Sequence, residues 1–240
     1  MFNKKGSHVG VILSFVIFTA FLLFLYSIMQ PVITIEKDKQ IILDSLKEKL
    51  VENTSADLIT ISVTNASGFD GNKKCLQVSK AELNIENIDA KNIRAEDKNG
   101  GWVEIKNEGD FIYLLWTTAD KNVFKIYLSE NIDNGLTYSM EKDKCTDLNI
   151  NYIIAKEYIF KKKIEGLILN YTSDYESVKQ TLKIPAGSEF SFSFANSTKG
   201  IILETEQKEV FTSVYADEIP IQYVNETANI NAGFINIKVW

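Results

Sequence analysis

The chain has 240 residues and a formal net charge of −6 at neutral pH. That length suits one domain, or one domain and an appendage, and 45% hydrophobic residues with only three prolines fit a folded chain, not a disordered one. The acid surplus repels phosphate backbones and argues against nucleic acid as a partner. Arg94 is the only arginine, which nearly removes bidentate guanidinium clamps on phosphate or carboxylate.

The first feature in chain order is the uncharged run from Val9 to Met29, VGVILSFVIFTAFLLFLYSIM. At about 1.5 Å per residue it crosses the roughly 30 Å hydrocarbon core of a bilayer. A core helix of this length would carry a polar face. A cleaved signal peptide would be shorter and end in a small-x-small site, which Tyr26-Ser27-Ile28-Met29-Gln30 does not supply. Lys4 and Lys5 precede the run, whereas Glu36, Lys37, Asp38 and Lys39 on the other side are balanced. The expected topology is therefore residues 1–8 in the cytoplasm, 9–30 across the cell membrane in a single pass, and the bulk of the chain extracytoplasmic. Gly6, Gly10 and Ser14 make a small-xxx-small row open to a second helix, and Phe15, Phe18, Phe21 and Phe24 lie on another stripe.

Pro31 is expected to kink or end the membrane helix. Ile35, Ile42, Leu43, Leu46 and Leu50 then recur at helical spacing among charges, predicting an amphipathic stalk helix within 31–54. From 55 to 240 the period falls to two. Ile59, Ile61 and Val63 open a series of expected strands, followed by Leu83 to Ile88, Trp102 to Lys106, Phe111 to Thr117 and Val123 to Leu128, with a hairpin turn at Ala119–Asn122. Tyr152 to Phe160 and Ile164 to Leu169 are two more, with Lys161-Lys162-Lys163 read as the turn between them. Ser173 or Asp174 caps an expected short helix reaching Leu182. Phe190, Phe192 and Phe194 alternate with serines, and Gly200 to Glu204, Val210 to Tyr215, Ile221 to Val224 and Ile235 to Val239 complete the strand series. The fold class expected is α+β, mainly β: a transmembrane helix, a stalk helix and an antiparallel, sandwich-like domain, with a weak subdivision near 145–151.

Two cysteines, Cys75 and Cys145, lie in the expected outer part. An oxidising compartment would join them in one disulfide closing a loop of about 71 residues; the alternative is two buried thiols. Five N-glycosylation sequons begin at Asn53, Asn65, Asn170, Asn196 and Asn225, all beyond the span. The only histidine is His8, so outside the membrane there is no histidine for a nucleophilic triad or a zinc site. No glycine-rich phosphate loop is present. Carboxylate pairs such as Asp217 and Glu218 are expected as solvated surface charge, and calcium at Asp133 and Asn134 misses the EF-hand spacing.

Lys4-Lys5-Gly6 followed by the apolar run resembles the N-terminus of archaeal type IV pilin-like proteins. The resemblance covers the chain as far as Gln30 and the layout of helix and β-rich head. It implies cleavage after Gly6 by a prepilin-type peptidase, with Ser7 as the new N-terminus, and a helix that serves as the filament core. The chain departs from that pattern at Val11, where many such proteins carry glutamate.

These observations predict a non-catalytic, single-pass cell-surface protein without a cofactor. Its expected partners are the lipid bilayer, a second copy through the membrane helix, and envelope or filament proteins. A pilin-like filament subunit is the first alternative and a membrane-tethered carboxylate hydrolase the second.

Overall fold

A computed structural model describes residues 7–65, 75–115, 123–135, 137, 145–206, 208–210 and 213–240. One helix, α1 (Ser7–Thr54), carries the apolar run directly into the head. Pro31 lies inside α1 and does not end it. Its missing N–H deprives the Ser27 carbonyl of one helical bond, yet the turns on both sides continue. Thr54 closes the helix by donating its hydroxyl to the Leu50 carbonyl at 2.6 Å.

The chain continues without a linker into β1 (Ser55–Thr64), then β2 (Cys75–Ser79), α2 (Lys80–Leu83), β3 (Asn92–Asp97), β4 (Trp102–Val103), β5 (Ile105–Glu108), β6 (Phe111–Leu115) and β7 (Val123–Ser129). After β8 (Cys145–Asp147) and β9 (Asn149–Phe160) come α3 (Lys161–Ser173) and α4 (Tyr175–Thr181), and then β10 (Phe190–Asn196), β11 (Ile201–Glu204), β12 (Tyr215–Val224) and β13 (Ile230–Val239). The described strands form a nine-stranded sheet in the order β11-β10-β13-β12-β9-β1-β7-β3-β4 and a four-stranded sheet in the order β5-β6-β2-β8. The architecture is α+β and mainly β.

The large sheet has two halves that meet at β9. On one side β9 pairs antiparallel with β1 from Ser55–Ile159 to Thr64–Asn149. On the other it meets β12 in parallel only at Tyr223–Ile159 and Val224–Phe160. Each half has its own core. Ile59, Ile61 and Val63 of β1 join Phe124, Ile126 and Leu128 of β7 beneath Leu76, Val78, Ile112 and Leu114 of the small sheet. In the other half Phe190, Phe192, Phe194, Ile235, Ile237 and Val239 are covered by Leu43, Leu46 and Leu50 of α1 and by Ile164, Tyr171 and Val178 of α3 and α4. Gly233 is required where β13 passes β10, since a Cβ there would sit 2.6 Å from the Ala195 carbonyl oxygen.

Several expected strands are corrected. Residues 164–169 form part of α3, and Lys161-Lys162-Lys163 is its first turn, not a strand-to-strand turn. Ile164, Leu167, Ile168 and Tyr171 fit one helical face, and the bulk they bury over β10 and β13 overrides the apparent alternation of Ile164, Gly166 and Ile168. Leu83 ends the short helix α2, and the strand of that region is β3 instead. The segment 102–106 is divided between β4 of the large sheet and β5 of the small one. The described residues 208–210 and 213–214 are not strand, whereas β12 and β13 begin earlier than their apolar residues suggest. The turn at Ala119–Asn122 lies outside the described residues.

Cys75 and Cys145 are paired opposite each other on the parallel strands β2 and β8 and form a disulfide across 70 positions. In denaturant titration of full-length protein in detergent, reduction of the disulfide lowers stability by about 4 kcal/mol through the longer free loop. In the same titration Leu46→Ala, at a fully buried position, costs about 2–5 kcal/mol, whereas Ile41→Ala, on the 57% exposed face of the same helix, changes stability by less than about 0.5 kcal/mol.

Candidate functional site

The segment that demands a partner is the first half of α1. Val9–Met29 has a mean hydropathy of 2.6 and none of it is buried in the protein. Valine, isoleucine, leucine and phenylalanine side chains point outward around the whole circumference, from Val11 and Phe15 to Phe24 and Met29. The polar group of Thr19 is absorbed locally, its hydroxyl donating to the Phe15 carbonyl at 2.8 Å. A helix with this surface satisfies its own backbone bonds and offers mainly hydrocarbon contacts and no charge, which suits lipid or another apolar helix better than water. Of the small row, Gly10 faces open space; Gly6 lies outside the described residues, as do Lys4 and Lys5.

The second half of α1 is fixed to the head at several levels. Lys39 donates to the Ser188 hydroxyl at 2.9 Å, near the start of β10. Lys47 pairs with Asp217 near the start of β12, an ion pair that raises the lysine pKa and lowers that of the carboxyl. At the last turn Lys163 of α3 donates to the Ser55 carbonyl at 2.5 Å, placing a cation where the helix carbonyls end. These contacts orient the head. Its near end, towards the apolar segment, holds Ser188, Asp217 and the end of β13 at Val239. Its far end holds Tyr223, Val224 and the tips of the β10–β11 and β12–β13 hairpins.

Polar residues at the near end form one connected cluster. The Tyr175 hydroxyl donates to Glu189 at 2.5 Å and Lys179 donates to the other carboxylate oxygen at 2.9 Å, with Lys208 3.8 Å away and lying over the Tyr175 ring. Burial alone would raise the Glu189 pKa, but the Tyr175 hydroxyl and the two ammonium groups outweigh it and hold the carboxyl below its ordinary value. Burial and the adjacent carboxylate push Tyr175 up, and burial pushes Tyr171 up to about 12. Glu189 also exchanges backbone hydrogen bonds with Trp240, which ties the last residue of the sequence into this cluster.

The remaining expected sites are dispersed. The five sequons do not form one surface. Asn53 is in the last turn of α1 and Asn170 in α3, and the two line one open hollow of about 450 Å³. Asn65 is buried at the end of β1, with 9% of its surface exposed. Asn196 and Asn225 stand at the two hairpin tips. Asp217 and Glu218 are engaged by Lys47 and Lys199 and do not face each other as a carboxylate pair. The Asn134 side chain accepts from the Ile93 amide at 3.2 Å. Among the described residues no group of three or more His, Cys, Asp or Glu could hold a metal.

Sequence reasoning found the apolar segment and the disulfide but missed the lysine contacts with Ser188 and Asp217 and the Glu189 cluster. Their partners lie more than 100 positions apart or on elements whose placement no local pattern gives. Comparison with family models, curated proteins and solved structures finds no match.

The Glu189 cluster sets an acid limit. A carboxyl whose folded pKa is depressed contributes stability that is complete above its unfolded value, near 4.5, and disappears as the pH falls through the folded value. Between about pH 5 and pH 3 the wild-type protein therefore loses more stability than Glu189→Gln. Thermal unfolding of the two proteins across that interval measures the difference.

Proposed function

We propose that this chain is a non-catalytic, single-pass membrane subunit of type IV pilin-like build, with α1 as its membrane and assembly element and the β-rich head as the part displayed outside. The observation that carries this reading is the continuity of α1. The residues that would sit in lipid and those that fill the head core belong to one helix, with no linker between them. From Met29 to Lys39, where contact with the head is first described, the rise is about 15 Å, so the head stands directly above the bilayer surface. A passive tether needs no such rigid connection, whereas a subunit that must hold its head in register with neighbouring copies does. The exposed small residue Gly10 allows close approach of a second helix. The Cys75–Cys145 disulfide agrees with an oxidising exterior.

Mass spectrometry of the N-terminus of protein taken from its native membranes tests the reading. A mature chain starting at Ser7 is the expected result. A chain that keeps residues 1–6 removes the pilin-like part and leaves an uncleaved surface anchor. Recovery in a detergent-free cytosolic fraction with reduced cysteines contradicts both.

A further inference from the structure

The two sequons at the far end of the head are built alike. In Asn196-Ser197-Thr198, the Asn196 Oδ1 accepts from the Thr198 amide at 3.0 Å, the Thr198 hydroxyl at 2.8 Å and the Gly200 amide at 2.8 Å. In Asn225-Glu226-Thr227, the Asn225 Oδ1 accepts from the Thr227 amide at 3.0 Å, the Thr227 hydroxyl at 2.9 Å and the Asn229 amide at 2.9 Å. Each turn is closed by the same backbone pattern, the asparagine amide donating four residues ahead and its carbonyl accepting from three residues ahead. Each places a non-glycine residue, Lys199 or Ala228, in the left-handed region at a φ of 64°. The same five-residue device thus connects β10 to β11 and β12 to β13.

The other three sequons are unlike these. Asn53 donates its Nδ2 to the Lys49 carbonyl at 2.8 Å within α1, and its hydroxyl residue, Ser55, is buried. The hydroxyl of Thr172, the partner of Asn170, is spent on the Ile168 carbonyl at 3.1 Å inside α3. Asn65 is itself buried. At Asn53 and Asn65 the amide is bonded or buried in the fold, and at Asn170, which is exposed, the sequon is held in helical backbone with its hydroxyl on the Ile168 carbonyl. At the hairpin tips the hydroxyl instead donates to the carboxamide oxygen of its own asparagine. That bond polarises the amide and makes its N–H more acidic. Among the described residues nothing accepts a hydrogen bond from the Nδ2 of Asn196 or Asn225.

We propose that Asn196 and Asn225 are the N-glycan acceptors of this protein, a pair of modified hairpin tips on the membrane-distal rim of the head, and that Asn53, Asn65 and Asn170 stay bare. The proposal rests on the reading that the head is extracytoplasmic. The donor is a polyprenyl-phosphate-linked sugar presented by a membrane transferase. The Nδ2–C1 bond forms at the anomeric carbon, the bond from that carbon to the phosphate oxygen breaks, the lipid phosphate departs, and the amide proton passes to a base of the transferase. The direction of α1 supplies the geometric support: from Lys39 beside Ser188 to Ser55 opposite Ile159 it runs from the near end to the far end, so both tips point away from the bilayer. Glycans there clear the lipid surface and leave the membrane helix unobstructed.

Glycopeptide mass spectrometry of full-length protein from its native membranes is the test. A glycan mass at Asn196 and at Asn225, with unmodified peptides at the other three, is the expected result. Asn196→Gln and Asn225→Gln each remove one glycan mass, and the double variant removes both. Asn196→Asp keeps the acceptor oxygen and the turn, so it loses the glycan mass without loss of thermal stability. Glycan at Asn53, Asn65 or Asn170, or bare tips on a membrane-bound, disulfide-bonded protein, overturns the proposal while leaving the membrane reading intact. A bare, reduced, cytosolic protein overturns both.

Discussion

The structure depends on one helix that must satisfy two different surroundings. In the first half of α1, Val9–Met29 carries no charged side chain and none that the protein buries. The second half supplies Leu43, Leu46 and Leu50 to the core of the head. Neither half is replaceable by a loop. A loop in hydrocarbon would leave backbone groups unpaired, and a loop in the head would expose Phe190, Phe192, Ile235 and Ile237 to water. The two requirements are compatible because a helix satisfies its own backbone anywhere and leaves its side chains free to match the surroundings, apolar all round on one stretch and packed on the sheet on the next.

The head is organised to hold that helix. Its core nearest α1 is a helix-on-sheet layer, in which α1 lies against β9, β12 and β13 and α3 against β9 and β11. The second core is sheet on sheet, and the disulfide joins β2 to β8 at the edge of the small sheet. β9 belongs to both, through its long pairing with β1 and its short parallel contact with β12. β1 begins where α1 ends, so the strand that anchors the second core is continuous with the helix that anchors the first. Displacement of α1 would therefore be felt in both halves.

Much of this was legible in the sequence, for reasons tied to particular residues. The apolar helical segment was legible because 21 successive residues, Val9–Met29, lack charge. β10 was legible because Phe190, Phe192 and Phe194 alternate with serines, and α4 because Asp174 offers an N-cap, which accepts from the Ser177 amide at 3.1 Å. α3 was misread because Gly166 between Ile164 and Ile168 imitates a strand, while its helical face is visible only once Tyr171 is counted with it. β3 was missed because Asn92, Arg94, Glu96 and Asp97 give a polar stretch in which Ile93 and Ala95 are the only apolar residues, and the third buried position on their face is Asp97. The parallel contact of β9 with β12 left no local trace, since it joins positions some 64 apart through two helices and two strands. At the candidate site the apolar segment was apparent, but the likeness of the Asn196 and Asn225 turns emerged only from their hydrogen bonds.

That α1 is one rigid rod from lipid to head is tested most directly by spin labels at Leu23 and Ile41 in protein reconstituted into lipid vesicles; the native cysteines are engaged in the disulfide and do not react. A rigid rod gives a single narrow distance of about 27 Å, the rise of about 18 residues at about 1.5 Å each. The Leu23 label is then shielded from water-soluble relaxing agents. A broad or much shorter distance distribution, or a water-accessible label at Leu23, would contradict a continuous helix seated in lipid.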